Sequence, residues 1–540
     1  MRLVTADEAV GLVHPGDTLL IGGSGGGHAV PDSLIRALER RFQHSGQPQG
    51  ITLFHPVGLG DGKGQGVDHL AHPGLLKRII TGAFVNTPAI AELAKCDAIE
   101  AYTLPQGALS QLVREMAAGR PGLLSQVGLG TFVDPRQGGG RQSSSAKEDL
   151  VQLVQLAGKE WLFYKSLLPD IAFLRGTTAD EDGNITMEHE AVFGEMLSMA
   201  QAAHNAGGVV IVQVARLAKR ESLPPKQVRI PGMLVDLVVL DPQQQQTYQV
   251  SFSPAYAGEL RIPLAEIPAL PFDERKVIAR RAALELFPGA ICNLGAGVST
   301  GIANVAVEEG ILDQIVLTNE QGLIGGAPAS GMDAGAAVNY TAMIDQPYQF
   351  DFYDGGGLDL AFLSFAQVDA RGSVNVSRFN GRIIGPGGFP NISQNARLVI
   401  FSGTLTAGSL QIAWEAGQTK ILREGRHLKF IQELEQVTYN GSYAHERGQR
   451  VLYITERAVF QLGERGLELI EVAPGVDLDR DILARMQFRP AIASQLRQMD
   501  LRLFLSERMG LATDLAKMPR RNLPRRLREP DANFPTEERI

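Results

Sequence analysis

"FPGAICNLGAGVSTGIANVAVEEG" (residues 287–310) opens on Pro-Gly, continues as an apolar strand, loosens into a glycine loop and closes as an amphipathic helix. Strand, glycine loop and helix in that order form one βα unit of a layered α/β fold. The same order stands in "VHPGDTLLIGGSGGGHAVPDSLIRALER" (13–40). A second matched pair is "TADEDGNITME" (178–188) and "AQVDARGSVNVS" (366–377), each with Asp and Gly three residues apart before a β-like segment. That spacing makes a turn. Signals that recur in the same order twice predict an internal duplication. The expected fold is α/β: two tandem, structurally similar open domains with mostly parallel sheets, over about residues 1–270 and 271–510.

Working outward, "GGVVIVQV" (207–214) and "DLVVLD" (236–241) read as buried strands, and "PDSLIRALERRF" (31–42) as a helix with proline in its first turn. "DERKVIARRAALELF" (273–287) is a helix with Val277, Ile278, Ala282 and Leu286 about one turn apart. Three prolines in "RIPLAEIPALPFDERK" (261–276) mark the linker between halves. The polar insertion "DPRQGGGRQSSSAKED" (134–149) reads as a mobile or partner-facing loop. Residues 511–540, with "KMPRRNLPRRLREP" (517–530), read as a basic C-terminal tail.

The 540 residues exceed one ordinary core, and 44% hydrophobic with 20% charged residues is globular composition. A net charge of −8 argues against nucleic acid as a partner. Cys96 and Cys292 are far apart without CxxC spacing, which excludes a disulfide framework and a cysteine zinc site. No signal peptide is apparent and no apolar run reaches the ~18 residues of a membrane span, so the expectation is a soluble cytoplasmic protein with no membrane partner.

Several stretches invite a chemical reading. "GGSGGGHA" (22–29) follows a strand and precedes a helix, as a phosphate loop does. His28 stands where a dinucleotide fingerprint needs its last glycine. GxSxG occurs at Ser24 and Ser299, and two equivalent copies fit a duplicated loop better than one nucleophile elbow. His69 and His72 lie three apart with no carboxylate-and-cysteine set nearby in sequence, and the expected metal site is none. In "QIVLTNEQGLIGGAP" (314–328) a carboxylate, Glu320, stands where an apolar strand ends and glycines begin. Such a group binds a cation, caps a turn or attacks an electrophile, and ligands gather at that edge of an α/β sheet.

Taken in order, "GDTLLIGGSGGGHAVPDSL", "YTLPQGALSQLVRE", "GLGTFVDPRQGGGR", "TADEDGNITMEHEAV", "CNLGAGVSTGIANVA", "TNEQGLIGGAP" and "RIIGPGGFPNIS" resemble the family I CoA-transferases, over residues 1–510. The resemblance is to the single-chain short-chain acyl-CoA:acetate/propionate (3-oxoacid) type. It implies a CoA-transferase working by ping-pong through a glutamyl-CoA thioester. Glu320 would be the nucleophile, in a Glu-x-Gly motif whose middle residue here is Gln321. Gln106 and the backbone of Gly388 would form the oxyanion hole, with Gly387 the neighbouring alternative. Asn293, Leu294, Gly295, Ala296, Gly297 and Val298, with Gly387, would contact CoA. The implied partners are an acyl-CoA and a short-chain carboxylate, with CoA as substrate, no permanently bound cofactor, and a homo-oligomer, a tetramer as first expectation. An acyl-CoA hydrolase on the same scaffold and a non-catalytic ligand-sensing module are the alternatives.

The chemistry suits a carboxylate. Its acyl anhydride and its CoA thioester are both activated, whereas a serine ester would dissipate the bond energy. With a reference pKa of ~4.3, an unperturbed glutamate is ionised at neutral pH without an adjacent base. "IGGAPASG" (324–331) and "FDFYDGGGLDLAF" (350–362) are the candidates for lining a small acyl pocket.

Overall fold

The computed structural model describes residues 2–520. Two large sheets carry the fold. The first has eight strands: β1 (Arg2–Val4), β2 (Thr18–Ile21), β3 (Ile51–His55), β4 (Leu76–Thr81), β5 (Glu100–Thr103), β6 (Ile171–Arg175), β7 (Val209–Val214) and β8 (Leu237–Leu240). Their order is β1-β8-β7-β6-β2-β3-β4-β5, and every neighbouring pair is parallel. The second sheet has ten strands, whose parallel centre is β9 (Ile291–Leu294), β10 (Val316–Thr318), β11 (Leu360–Ser364), β12 (Leu398–Ser402) and β13 (Arg450–Ile454). They run in the order β10-β9-β11-β12-β13. Taken in chain order, β3-β2-β6-β7-β8 and β10-β9-β11-β12-β13 have the same arrangement.

Side chains alternate between the two faces of each sheet. Leu19 and Ile21 enter one core and Leu20 the opposite one. Phe362 and Ile400 face one side of the second sheet, Leu363 and Phe401 the other. Burial on both faces is why these strands read as continuous apolar runs. The paired Asp-x-x-Gly segments fold alike. Asp180 Oδ1 accepts from the backbone N–H groups of Asp182 and Asn184, at 3.0 and 2.9 Å, and Gly183 N–H donates to Asp180 O at 3.0 Å. Asp369 Oδ1 accepts from Arg371 and Ser373, at 2.9 and 2.8 Å, and Gly372 N–H donates to Asp369 O at 3.0 Å.

Helices follow their sequence signals. α1 (Asp32–Ser45) starts after Pro31 and stops at Gly46, whose φ of 69° is the left-handed C-cap. The remaining helices that matter for the site are α2 (Gln106–Ala117), α3 (Met196–Asn205), α4 (Glu274–Ala283), α5 (Gly301–Glu308), α6 (Gln346–Asp354) and α7 (Phe389–Gln394). α4 is capped by Asp273, which accepts from the N–H groups of Arg275 and Lys276. It ends earlier than its apolar spacing predicts and is buried on all sides. Arg280 is fully enclosed and donates to the carbonyls of Leu505 and Glu507, at 2.5 and 2.8 Å.

Two expectations are corrected. Residues 511–515, read as the start of a tail, form a short helix (Leu511–Leu515) packed into the second core through Leu511 and Leu515. The buried Glu309 carboxylate draws it in by accepting the N–H groups of Met509, Gly510 and Leu511, at 2.7, 2.8 and 2.9 Å. The basic stretch from 521 onward lies outside the described residues. The insertion 134–149 is pinned rather than free. Thr103 N–H donates to Gly140 O and Gln142 N–H to Ala101 O, so the insertion extends the edge of the first sheet along β5. Among the described residues, no helix is long and apolar enough to cross a membrane.

Candidate active site

β10 ends at Thr318, and a tight turn carries Glu320 at its tip. Asn319 closes the turn: its N–H donates to Leu323 O and its Oδ1 accepts from Leu323 N–H, both at 3.1 Å. Gly322 sits there at φ 99°, and a Cβ on it would lie 2.0 Å from Ile344 O, so conformation and space both require glycine.

Glu320 opens into a cavity of about 440 Å³ lined from both halves of the chain. The first half supplies Val57 and Gly58 beyond β3, Ala83, Val85 and Asn86 beyond β4, and Gln106 at the start of α2. The second supplies Asn293 to Ala296, Glu320, Gln321, the 384–389 turn, and Pro328, Ala329 and Met332. The cavity therefore sits beyond the carboxyl ends of strands of both sheets, where open α/β folds bind ligands.

The carboxylate has three donors around it and, among the described residues, no cation. Gln321 Nε2 donates to Glu320 Oε1 at 3.2 Å. The Gly388 backbone N–H and the Gln106 amide also lie against it, and both favour its ionised form. Gly388 approaches so closely that a Cβ would stand 1.9 Å from Glu320 Oε2. Its φ of −80° is open to any residue, so only space demands glycine there. Gln106 is buried, and its Nε2 has no formed hydrogen bond among the described residues. An unpaired buried N–H is a donor held ready for an arriving oxygen.

Burial outweighs these donors and pushes the Glu320 carboxyl up to about 7. This corrects the expectation of an ordinary, fully ionised glutamate: burial leaves the group only partly ionised near neutrality. The cause is desolvation without ion pairing. A carboxylate so placed is poised near its working pH and more basic than a solvated one.

The other predicted residues divide. Asn293, Leu294, Gly295, Ala296 and Gly387 border the cavity, whereas Gly297 and Val298 do not. Gly297 is exposed at φ 94°, where a Cβ would meet Ser364 Oγ at 2.8 Å, and Val298 packs on the second core. The Asn293 side chain faces inward, donating to Thr318 O at 3.3 Å and to the Tyr353 hydroxyl at 3.1 Å. Phe350 and Tyr353 lie wholly in the core behind the site, while Pro328, Ala329 and Gly331 of the 324–331 run do line it.

The glycine loop at 22–27 is a docking surface. A Cβ on Gly26 would lie 2.0 Å from Met332 O, and one on Gly27 2.8 Å from Tyr248. Gly26 thus lets backbone of the second half come into contact, and Gly27 makes room for Tyr248 of the first. Ser24 and Ser299 are both fully buried, which removes them as nucleophiles. His69 and His72 receive a carboxylate that sequence spacing missed: Glu39 of α1, at 2.7 and 3.0 Å. Among the described residues no group of His, Cys, Asp and Glu is arranged to hold a metal. Also missed were Val57, Val85, Asn86 and Met332; the strand-ending "HPVGLG" and "TGAFVN" were the available signal for the first three.

Comparison with known proteins gives the following. Residues 3–241 match the family model described as Coenzyme A transferase. The chain is 47% identical over 509 residues to acetate CoA-transferase YdiF of Escherichia coli (strain K12), covering 94% of this chain and 96% of the relative. It is 44% identical over 524 residues to caffeate CoA-transferase of Acetobacterium woodii, covering 96% and 100%. The solved structure of the acyl-CoA transferase YdiF from E. coli O157:H7, a thioester complex with CoA, superimposes with a TM-score of 0.90 at 46% identity, covering 94% and 97%.

Proposed function

The chain belongs to the coenzyme A transferase family, and on that ground we propose that it transfers CoA from a short-chain acyl-CoA to a free carboxylate such as acetate, through a thioester on Glu320. The observation that carries the assignment of residues is the Gln106 amide, buried, unpaired and beside the Glu320 carboxylate at the seam of the two halves.

The cycle conserves the activated bond. A Glu320 oxygen attacks the thioester carbonyl, and the new C–O bond forms as the carbonyl electrons move onto oxygen. Collapse of that oxyanion breaks the C–S bond and releases CoA thiolate, leaving a mixed anhydride. The thiolate attacks the glutamyl carbonyl carbon, the first carboxylate departs, and glutamyl-CoA remains. The acceptor carboxylate attacks the glutamyl-CoA carbonyl, releasing thiolate, which then takes the acceptor's acyl group and frees Glu320. Protons, electrons and metals need not enter or leave. Each attack passes through an oxyanion, and the Gln106 amide and Gly388 N–H are its donors. Removal of one such donor costs about 3 kcal/mol in other acyl-transfer enzymes. Asn293 to Ala296 and Gly387 border the path of the pantetheine arm. The cavity's mostly apolar wall keeps water from the thioester, which would otherwise hydrolyse.

The same reading places the protein in the cytoplasm as a homo-oligomer, a tetramer by family resemblance, with CoA as substrate rather than a permanently held cofactor. Neither nucleic acid nor membrane is a partner in it. Incubation with acetyl-CoA, reduction with borohydride and peptide mass analysis test the central step. The expected modification lies on the tryptic peptide containing residue 320; an unmodified peptide 320 in active protein overturns the assignment.

A further inference from the structure

Gln106 is the first residue of α2, so its own N–H and that of Gly107 have no partner within the helix. Both are taken by the second half of the chain. Gln106 N–H donates to Gly387 O at 2.9 Å, and Gly107 N–H donates to Asn391 Oδ1 at 3.0 Å. These two acceptors flank Gly388, the other oxyanion donor. The two donors, 282 residues apart in sequence, are thus stitched together on both sides.

The stitch is itself held. Asn391 is fully buried, and its Nδ2 donates to both carboxylate oxygens of Asp354, at 2.9 and 3.1 Å. The Gly107 N–H can only donate, so the amide must turn its oxygen toward Gly107 and its NH₂ inward to Asp354, whose carboxyl is pushed up to about 7 by burial. Gln111, further along α2, donates to the same carboxylate at 2.9 Å. The buried Phe350 ring fills the space between: a Cβ on Gly107 would lie 2.5 Å from it, and one on Gly388 3.2 Å.

We propose that Asn391, oriented by Asp354, is a positioning residue that sets the separation of the Gln106 amide from Glu320 and Gly388, and thereby the efficiency of the oxyanion hole. It touches neither substrate nor Glu320 and acts only through the start of α2. The inference rests on Gln106 being an oxyanion donor.

The test uses the full chain and CoA transfer from acetyl-CoA to propionate. Asn391→Ala is expected to lower kcat about 100-fold, the usual penalty for misplacing a catalytic group by about 1 Å, with KM for acetyl-CoA within about threefold. The exchange Asp354→Asn with Asn391→Asp keeps an acceptor for the Gly107 N–H, an oxygen for Gln111 and one of the two bonds between the side chains, and is expected to return kcat to within about fivefold. A kcat for Asn391→Ala within about threefold of the parent overturns the proposal, as does an exchange that restores melting temperature while kcat stays more than about 20-fold down. If Asn391→Ala does not fold, Asp354→Ala takes its place with the same two readings; if neither folds, the exchange alone decides by that criterion. Gln106→Ala separates the two levels. An undiminished kcat there removes the oxyanion reading itself, whereas a damaged Gln106→Ala beside an unimpaired Asn391→Ala removes only the present inference.

Discussion

Glu320 is a carboxylate with hydrogen-bond donors around it and, among the described residues, no cation, and its behaviour with pH follows from that. Because kcat/KM reports the free enzyme, it is expected to rise with pH through about 7, the value to which burial pushes the carboxyl, and to level off above it. A pH–rate profile flat between about 5.5 and 8.5 would contradict this. Stability has the opposite sign. The folded pKa lies above the ordinary value of 4.5, so the group's favourable contribution is complete below 4.5 and is lost as pH rises through about 7. Glu320→Gln is therefore expected to abolish turnover yet melt higher than the parent at about pH 8, with the gain gone near pH 5; calorimetry at the two pH values checks it. Gly388→Ala is expected to fold, since φ −80° suits alanine, and to lose at least about 100-fold in kcat because its methyl occupies the space of Glu320 Oε2.

At the scale of elements, Glu309 joins the end of α5 to the 509–511 backbone through three N–H groups. Glu309→Ala leaves those buried donors unpaired, which costs about 1–3 kcal/mol, and is expected to expose residues 509–515 to hydrogen exchange and protease while leaving kcat near the parent's. Local signals were legible in the sequence here. Pro31 and Gly46 bound α1, Asp273 caps α4, and the Asp180 and Asp369 turns have matching bonds because a short carboxylate and a glycine fix them within five residues. Elements held by distant partners were not legible. The 511–515 helix has no apolar period of its own, and the 134–149 insertion is held by β5. In the site, Glu320 could be found because a strand end and glycines surround it. The pairing of Gly107 with Asn391 spans 284 residues and leaves no mark in either stretch. Nor does spacing reveal how deeply a turn is buried, which is why an ordinary pKa was expected of Glu320.

For the molecule as a whole, the seam is where the chemistry is assembled. Gln106 comes from the first sheet's layers, and Glu320 and Gly388 from the second's. We propose that the chain divides into two folding units, over about residues 1–270 and 271–510. Each unit expressed alone is expected to show no transfer, and the two expressed together to recover it; turnover by either alone would refute a shared site. The repeat of five strands also fixes a stoichiometry. The loop of the first half that corresponds to the Glu320 turn follows β3 and opens Pro56, Val57, Gly58, with no acid among them. A polypeptide built like two subunits in series should consequently titrate as one. Its burst with a chromogenic thioester should saturate at a single equivalent per polypeptide, however twofold its outline looks.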